Sequence, residues 1–210
     1  MQGNGTLPES KHPLTADLIA TVTAGSRVLL LGIGSGRHLP PLLAAGLKVD
    51  VIEEDPARAA AAATRWAGTA GVRVARARYA GGPVPFAFGF DGALATHALL
   101  HGSPAAVAAA LAAVGNRLRA GAPFNFTLGS TRDPRFGRGR RVDDSTWEAV
   151  DGDEAGVPHA YFDAASAAAL LSAWEVVGLE ERAASAGVWA HAAGSAGFVH
   201  WFVRVRRRAQ

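Results

Sequence analysis

The stretch Arg27-Val28-Leu29-Leu30-Leu31-Gly32-Ile33-Gly34-Ser35-Gly36-Arg37-His38 decides the fold. Four apolar residues, Val28 to Leu31, run straight into glycines, which is the pattern of a buried strand feeding a turn. Gly32, Gly34 and Gly36 carry no Cβ. The turn can therefore be tight, and a ligand can approach the backbone around Ile33 and Ser35 closely. A short helical segment, Leu39 to Ala45, follows, with its free N–H groups toward the ligand side.

Spacing sharpens this reading. The dinucleotide fingerprint is G-x-G-x-x-G, but here the third glycine comes one residue early and Arg37 stands in its place. The next apolar segment, Val49 to Ile52, ends in Glu53, 21 positions after Gly32. An acid at the tip of the second strand is placed to accept hydrogen bonds from ribose hydroxyls. Glu54 competes for that role, whereas Asp55 is better explained as a helix cap. Turn and acid together predict a nucleoside held across the first two strands. The shifted glycine favours an adenosyl ligand without a pyrophosphate.

The remaining segments alternate. Residues 1–12 are a loose lead-in, and Pro13 to Val22 forms a helix. Asp55-Pro56 starts the next helix, since Asp suits the N-cap and Pro the first position; it runs through Ala57–Trp66 and stops near Gly68. Val72 to Ala77 is a third strand. Gly81-Gly82-Pro83 breaks the chain before a fourth, Phe90 to Thr96. Ser103-Pro104 opens a helix to about Leu118, ended by Gly121, and Pro123 to Leu128 is a fifth strand. Asp163 caps a helix over Ala164–Trp174. Glu180–Ser185 and Phe198–Arg206 are the last two strands, with Gly194 and Gly197 in the turn between them. Alternation predicts an α/β domain with a parallel sheet covered on both faces. A final pair joined without a helix predicts a hairpin, so the seventh strand is antiparallel.

Composition excludes several classes. The 210 residues suit one domain, and 49% are hydrophobic, enough for a sizeable core. No apolar run approaches the ~20 residues that span a bilayer, and the first residues lack a signal-peptide core. The default expectation is thus a cytoplasmic protein with no membrane partner. With no cysteine, disulfides, thiolate metal sites and cysteine catalysis are out. The net charge of +3 is modest, and a pI of 9.9 carried by arginine does not establish nucleic-acid binding. No repeat suggests a solenoid.

The segment from Val28 to Pro56, VLLLGIGSGRHLPPLLAAGLKVDVIEEDP, resembles the opening of class I S-adenosylmethionine-dependent methyltransferases. The resemblance continues through Phe90-Asp91 and His97-Ala98-Leu99-Leu100-His101 and covers roughly the whole chain from Arg27. It implies a Rossmann-like seven-stranded sheet, mostly parallel with an antiparallel last strand, and S-adenosylmethionine as cofactor. It also implies that the Pro13–Val22 segment covers the cofactor and that Gly32, Gly34 and Gly36 cradle its methionine end. Two acids usual in that family are replaced. Leu30 stands two before the first glycine, and Arg76-Ala77-Arg78-Tyr79 follows the third strand. Tyr79 either stacks on adenine or packs.

Ala95, Thr96 and His97 fall at the C-terminal end of the fourth strand, where open α/β sheets bind ligands. His97 and His101 share a face only if their segment is helical. They then orient or deprotonate a substrate, or they are partly buried histidines paired to backbone. No third ligand near this pair is apparent, so no metal is expected. Residues 129–160 change character, with little periodicity, and suggest a lid. Five arginines, Arg132, Arg135, Arg138, Arg140 and Arg141, lie within ten positions, followed by Asp143, Asp144, Glu148, Asp151, Asp153 and Glu154. Internal pairing, an anionic small substrate and nucleic acid are the three readings of that run. The segment Gly156 to Phe162 resembles a branch of small bacterial methyltransferases associated with tellurite resistance, in which this flap borders the acceptor pocket. By that resemblance His159, Tyr161, Arg132 and Arg135 are acceptor-side candidates, with His97 or His159 as the base if one is used. The expectation is therefore methyl transfer to a small acceptor, anionic if the arginines bind it. An RNA or protein methyltransferase, or a non-catalytic adenosyl-binding protein on the same fold, is the alternative. Neither the acceptor nor the oligomeric state is legible.

Overall fold

The computed structural model describes residues 12–80, 86, 89–152, 154–183 and 197–209. The lead-in before His12, the Gly81-Gly82-Pro83 break, Asp153, Ser185 and the turn residue Gly194 lie outside the described residues.

The chain opens with α1 (Pro13–Thr21) and β1 (Arg27–Leu31). Burial along β1 is nearly continuous, as expected of a parallel strand covered on both faces. Then come α2 (Leu39–Ala44), β2 (Lys48–Glu53), α3 (Pro56–Arg65), β3 (Val72–Arg76), β4 (Gly92–Ala95), α4 (Pro104–Gly115) and β5 (Pro123–Ser130). The caps hold where the sequence places them. Asp55 Oδ1 accepts from Arg58 N at 2.7 Å, and Ser103 Oγ accepts from Ala106 N at 3.3 Å.

Three short strands follow, β6 (Arg140–Arg141), β7 (Thr146–Glu148) and β8 (Pro158–Phe162), then α5 (Ala164–Leu170), β9 (Trp174–Ala183) and β10 (Val199–Arg207). The main sheet runs β3-β2-β1-β4-β5, continued by β10 and β9. The first five strands are parallel, and β10 is antiparallel to both β5 and β9. This is the expected seven-stranded order with its antiparallel last strand. Strand order reverses between β1 and β4, and that reversal opens a crevice beyond their C-terminal ends.

Alternation across β1 divides the core. Leu29 and Leu31 pack with Phe90, Phe124, Phe126 and Trp174 on one face. Val28 and Leu30 pack with Leu14, Leu18, Leu42 and Phe202 on the other. Leu30 is 0% exposed, so the position where an acid is usual serves packing here.

Three expectations change. Residues 97–100 are turns and bends, not a helix, and His101 is a β-bridge residue, so His97 and His101 do not share a helical face. The 129–160 segment is not a bare loop. β6, β7 and β8 form an antiparallel sheet, and β8 adds to the end of β5 through Gly129↔Tyr161 and Ser130↔Phe162. Finally, α5 ends at Leu170 and β9 begins at Trp174, well before Glu180. Pairing with the end of β10, Trp174↔Arg207 through Val176↔Val205, takes that stretch into the sheet, and β-branched Val176 and Val177 suit it. Among the described residues, no helix is long and apolar enough to cross a membrane.

Candidate active site

The crevice at the C-terminal ends of β1, β2 and β4 is a cleft of about 730 Å³ including its open mouth. Six expected residues line it: Gly32, Gly34, Glu53, Thr96, His97 and His101. Gly32 (φ +76°) and Gly34 (φ +49°) occupy the left-handed region that L side chains avoid. A Cβ on Gly32 would sit 3.0 Å from Ala98 Cβ and 3.2 Å from the Tyr79 hydroxyl. A Cβ on Gly34 would meet nothing within 4 Å, because that face is open to the cleft. A Cβ on Gly36 would instead lie 3.7 Å from the Trp66 ring. Ser35 is exposed, while Ile33 and Ala95 are buried, and none of these three lines the cleft.

Glu53 is 2% exposed at the tip of β2. Its Oε2 accepts from Ile33 N at 3.0 Å and its Oε1 from Asp55 N at 2.9 Å. Arg58 Nε lies 3.5 Å from Oε1. An ionised carboxylate offers about four lone-pair sites, so two backbone donors orient it and leave acceptor capacity toward the cleft. Glu54 does other work. Its Oε1 accepts from Tyr79 N at 2.7 Å, and it borders a neighbouring cleft of about 690 Å³ with Leu99, Val107 and Ala110. The two clefts share Tyr79, Ala98 and His101. Burial, then the Glu53 and Glu54 charges, push the Tyr79 phenol above its ordinary pKa, so it stays protonated.

Two further cleft residues, Arg37 and His38, had no role assigned from the sequence. Arg37 fills the place of the fingerprint's third glycine. Its Nη2 is buried with no hydrogen-bond partner among the described residues, and burial lowers its pKa. Its Nε donates to His38 Nε2 at 3.4 Å, and because the residue lines the cleft, its guanidinium suits an anionic ligand group once it turns toward the opening. His38 links two elements, with Nδ1 2.8 Å from Thr15 Oγ1 and Nε2 2.6 Å from Thr96 Oγ1.

Among the described residues, His97 is the one non-glycine with positive φ, at 58°. Its N–H donates to Thr127 Oγ1 at 2.8 Å, and its ring meets those of His12 and His200 edge-on at 5.8 and 4.9 Å. A strained backbone held at the end of a central strand is common where a side chain must be aimed.

His101 and His159 come together across the flap. Ala160 N donates to Leu100 O at 2.9 Å, and Gly102 N donates to Pro158 O at 2.8 Å. The two rings then stand 4.9 Å apart, edge to face. Glu154 faces both. Its Oε1 is 3.5 Å from His101 Nε2, and its Oε2 is 3.0 Å from His159 Nε2. His101 first, then His159, holds the Glu154 carboxyl well below the usual range. His101 and Glu154 line the cleft, while buried His159 stands behind them.

The other acceptor-side candidates are not in the cleft. Arg132, with its side chain 78% exposed, pairs with Glu181 at 2.8 Å. Arg135 is anchored on Asp133 through Nε–Oδ1 at 2.8 Å and Nη2–Oδ2 at 3.1 Å, with its guanidinium 3.9 Å over the Phe198 ring. Tyr161 packs on Phe136 at 5.5 Å, and burial pushes its phenol up to about 12. Arg140 pairs with Glu148, and Arg141 with Asp144. All four arginines are paired within the chain, but only Arg140 and Arg141 take their main partners from the flap's downstream acids; Arg132 reaches Glu181 on β9 and Arg135 sits on Asp133.

No family model and no curated protein matches the chain. Solved structures do. A SAM-dependent methyltransferase from Methanosarcina mazei superposes with a TM-score of 0.73 at 13% identity, over 95% of this chain and 99% of the other. The 1,6-didemethyltoxoflavin-N1-methyltransferase of Burkholderia thailandensis, solved with 1,6-didemethyltoxoflavin and S-adenosylhomocysteine, gives 0.66 at 21% identity, over 95% and 78%. The [4+2]-cyclase SpnF gives 0.65 at 15% identity, over 94% and 81%. The chain has the fold of the class I S-adenosylmethionine-dependent methyltransferases, and that fold also hosts a cyclase.

Proposed function

We propose that the cleft binds S-adenosylmethionine and that the protein transfers its methyl group to a small acceptor. One observation carries this reading: a buried, backbone-oriented carboxylate, Glu53, stands beside the open face of Gly34 and the unpaired Nη2 of Arg37. An acid for ribose hydroxyls, a bare backbone and a cation for a carboxylate are the three features that an adenosyl amino acid needs. Leu30 faces the core, so β1 brings no acid of its own to the cleft.

Glu53 would hold the ribose, the Gly32–Gly34 backbone the methionine chain, and Arg37 its carboxylate. The neighbouring cleft offers adenine the Tyr79 side chain and the apolar Leu99 and Val107. When bound, the cofactor supplies a methyl group already activated by a sulfonium. The chain's own task is then to align a nucleophile and exclude water. A proton acceptor is needed only for an acceptor that is protonated at working pH. His97 and His101 line the cleft and are placed for that; His159 lies too deep. Because four of the flap arginines are paired within the chain, they give no argument for an anionic acceptor or for nucleic acid.

Thermal unfolding with added S-adenosylhomocysteine tests the reading. Ligand at 100 times its dissociation constant stabilises by about 2.7 kcal/mol, so the melting temperature should climb with concentration. The rise should shrink in Arg37→Ala. No rise at any concentration would sink the proposal.

A further inference from the structure

We propose that His101, Glu154 and His159 form a binding site for a divalent first-row transition-metal ion of the zinc type, at the mouth of the cleft. Each residue offers one ligand atom, and the three atoms lie within 4.8 Å of one another. Two imidazoles and a carboxylate are a donor set that zinc and its neighbours accept in open sites.

The tautomer of His159 argues for a cation between them. His159 Nδ1 is 2.9 Å from Val157 O, and a carbonyl can only accept, so Nδ1 carries the proton. In the neutral ring, Nε2 then presents a lone pair. It points toward Glu154 Oε2, 3.0 Å away, which also presents lone pairs. Nε2 of both histidines is buried and faces Glu154. Converging lone pairs need a positive charge between them, either a second proton on an imidazole, which makes an ion pair with Glu154, or a metal ion that all three ligand atoms reach. A metal-bound imidazole typically donates its other N–H to a carbonyl, the contact that His159 makes.

The scaffold is rigid where it has to be. The backbone bonds between residues 100–102 and 158–160 fix the two rings side by side. With bonds of about 2.1 Å, two ligand atoms on one ion stand at most about 4.2 Å apart. The widest pair must therefore close slightly, by rotation of the partly exposed His101 or Glu154 side chain. The nearby cation, Arg135, stays on Asp133, with its Nη1 3.6 Å from Glu154.

Three protein ligands leave positions free, and His101 and Glu154 open onto the cleft. Those positions would take an oxygen or nitrogen of the acceptor. That role rests on the methyl-transfer reading, but the binding of the ion does not. Coordination would acidify the acceptor, and with His101 bound to the ion, His97 would take its proton.

Calorimetric titration of the metal-stripped full chain with Zn²⁺ is the test, with Co²⁺ absorption as a second signal. One equivalent should bind. Glu154→Gln and His101→Ala alter partly exposed side chains and should fold. Each should weaken Zn²⁺ by more than roughly 100-fold, the upper range for mere outer-shell partners, and abolish the ordered Co²⁺ spectrum. Absence of Zn²⁺ binding in the wild type, or equal binding in both variants, would overturn the site. So would a Glu154→Gln chain that loses S-adenosylhomocysteine affinity while the wild type ignores zinc, because Glu154 would then serve the cofactor. A wild type that binds zinc but not S-adenosylhomocysteine would overturn the methyl-transfer reading and keep the metal site.

Discussion

The glycine turn and the flap face each other across one cleft but are built differently. The turn is made by neighbours in sequence. Gly32, Ile33, Gly34 and Glu53 lie on the ends of two paired strands, and the Ile33–Glu53 bond closes the unit. The flap is made by distant segments. His101 meets His159, Arg132 meets Glu181, and Asp133 accepts from Val199 N. The first region presents unspent polar groups to the cleft. The second pairs most of its charge within the chain, and among its described residues Glu154 lines the cleft beside His101. Charge density alone is thus a poor guide to a binding surface, because what matters is the charge left unpaired after folding.

Substitutions in the two regions should have very different effects. The largest effect is expected at Leu30, fully buried beneath the glycine turn. Leu30→Ala should cost roughly 2–5 kcal/mol in denaturant unfolding; a near-neutral result would mean that β1 is not the core of the cofactor half. Next comes the joint between the halves. A Cβ on Gly129 would lie 2.5 Å from Ala160 O, so Gly129→Ala must displace β8, at roughly 1–3 kcal/mol of stability. It should also disturb the His101–His159 pair while S-adenosylhomocysteine affinity holds. Parallel loss of cofactor affinity would show that the two regions are coupled. The smallest effect is expected at Arg132. Its exposed pair with Glu181 makes Arg132→Ala worth less than about 1 kcal/mol, with turnover unchanged. A large drop in turnover would return the arginine to the acceptor.

The comparison also explains what could be read in advance. The strand, the turn, Glu53 and the Asp55 and Ser103 caps follow from local rules, since each needs only residues a few positions away or one strand over. The end of α5 did not, because pairing of Trp174–Val176 with β10 outweighed helix propensity. Arg37 was visible only as a broken motif; its importance lies in burial without a partner, which no spacing reveals. Glu154 was one acid in a run of six, and what sets it apart is the placement of His101 and His159 by backbone bonds 58 residues apart in sequence. Tyr161 and His159 were found by resemblance, but their burial gives them supporting positions behind the cleft wall.

On the reading proposed above, the glycine turn and Glu53 together hold an adenosyl ligand. Calorimetric titration of the wild type and Glu53→Ala with S-adenosylhomocysteine tests it most directly. Saturable one-site binding in the wild type is expected, weakened by roughly 1–3 kcal/mol in Glu53→Ala as hydroxyls lose a charged partner. No heat with the wild type at high protein concentration, or identical affinity in the variant, would contradict it.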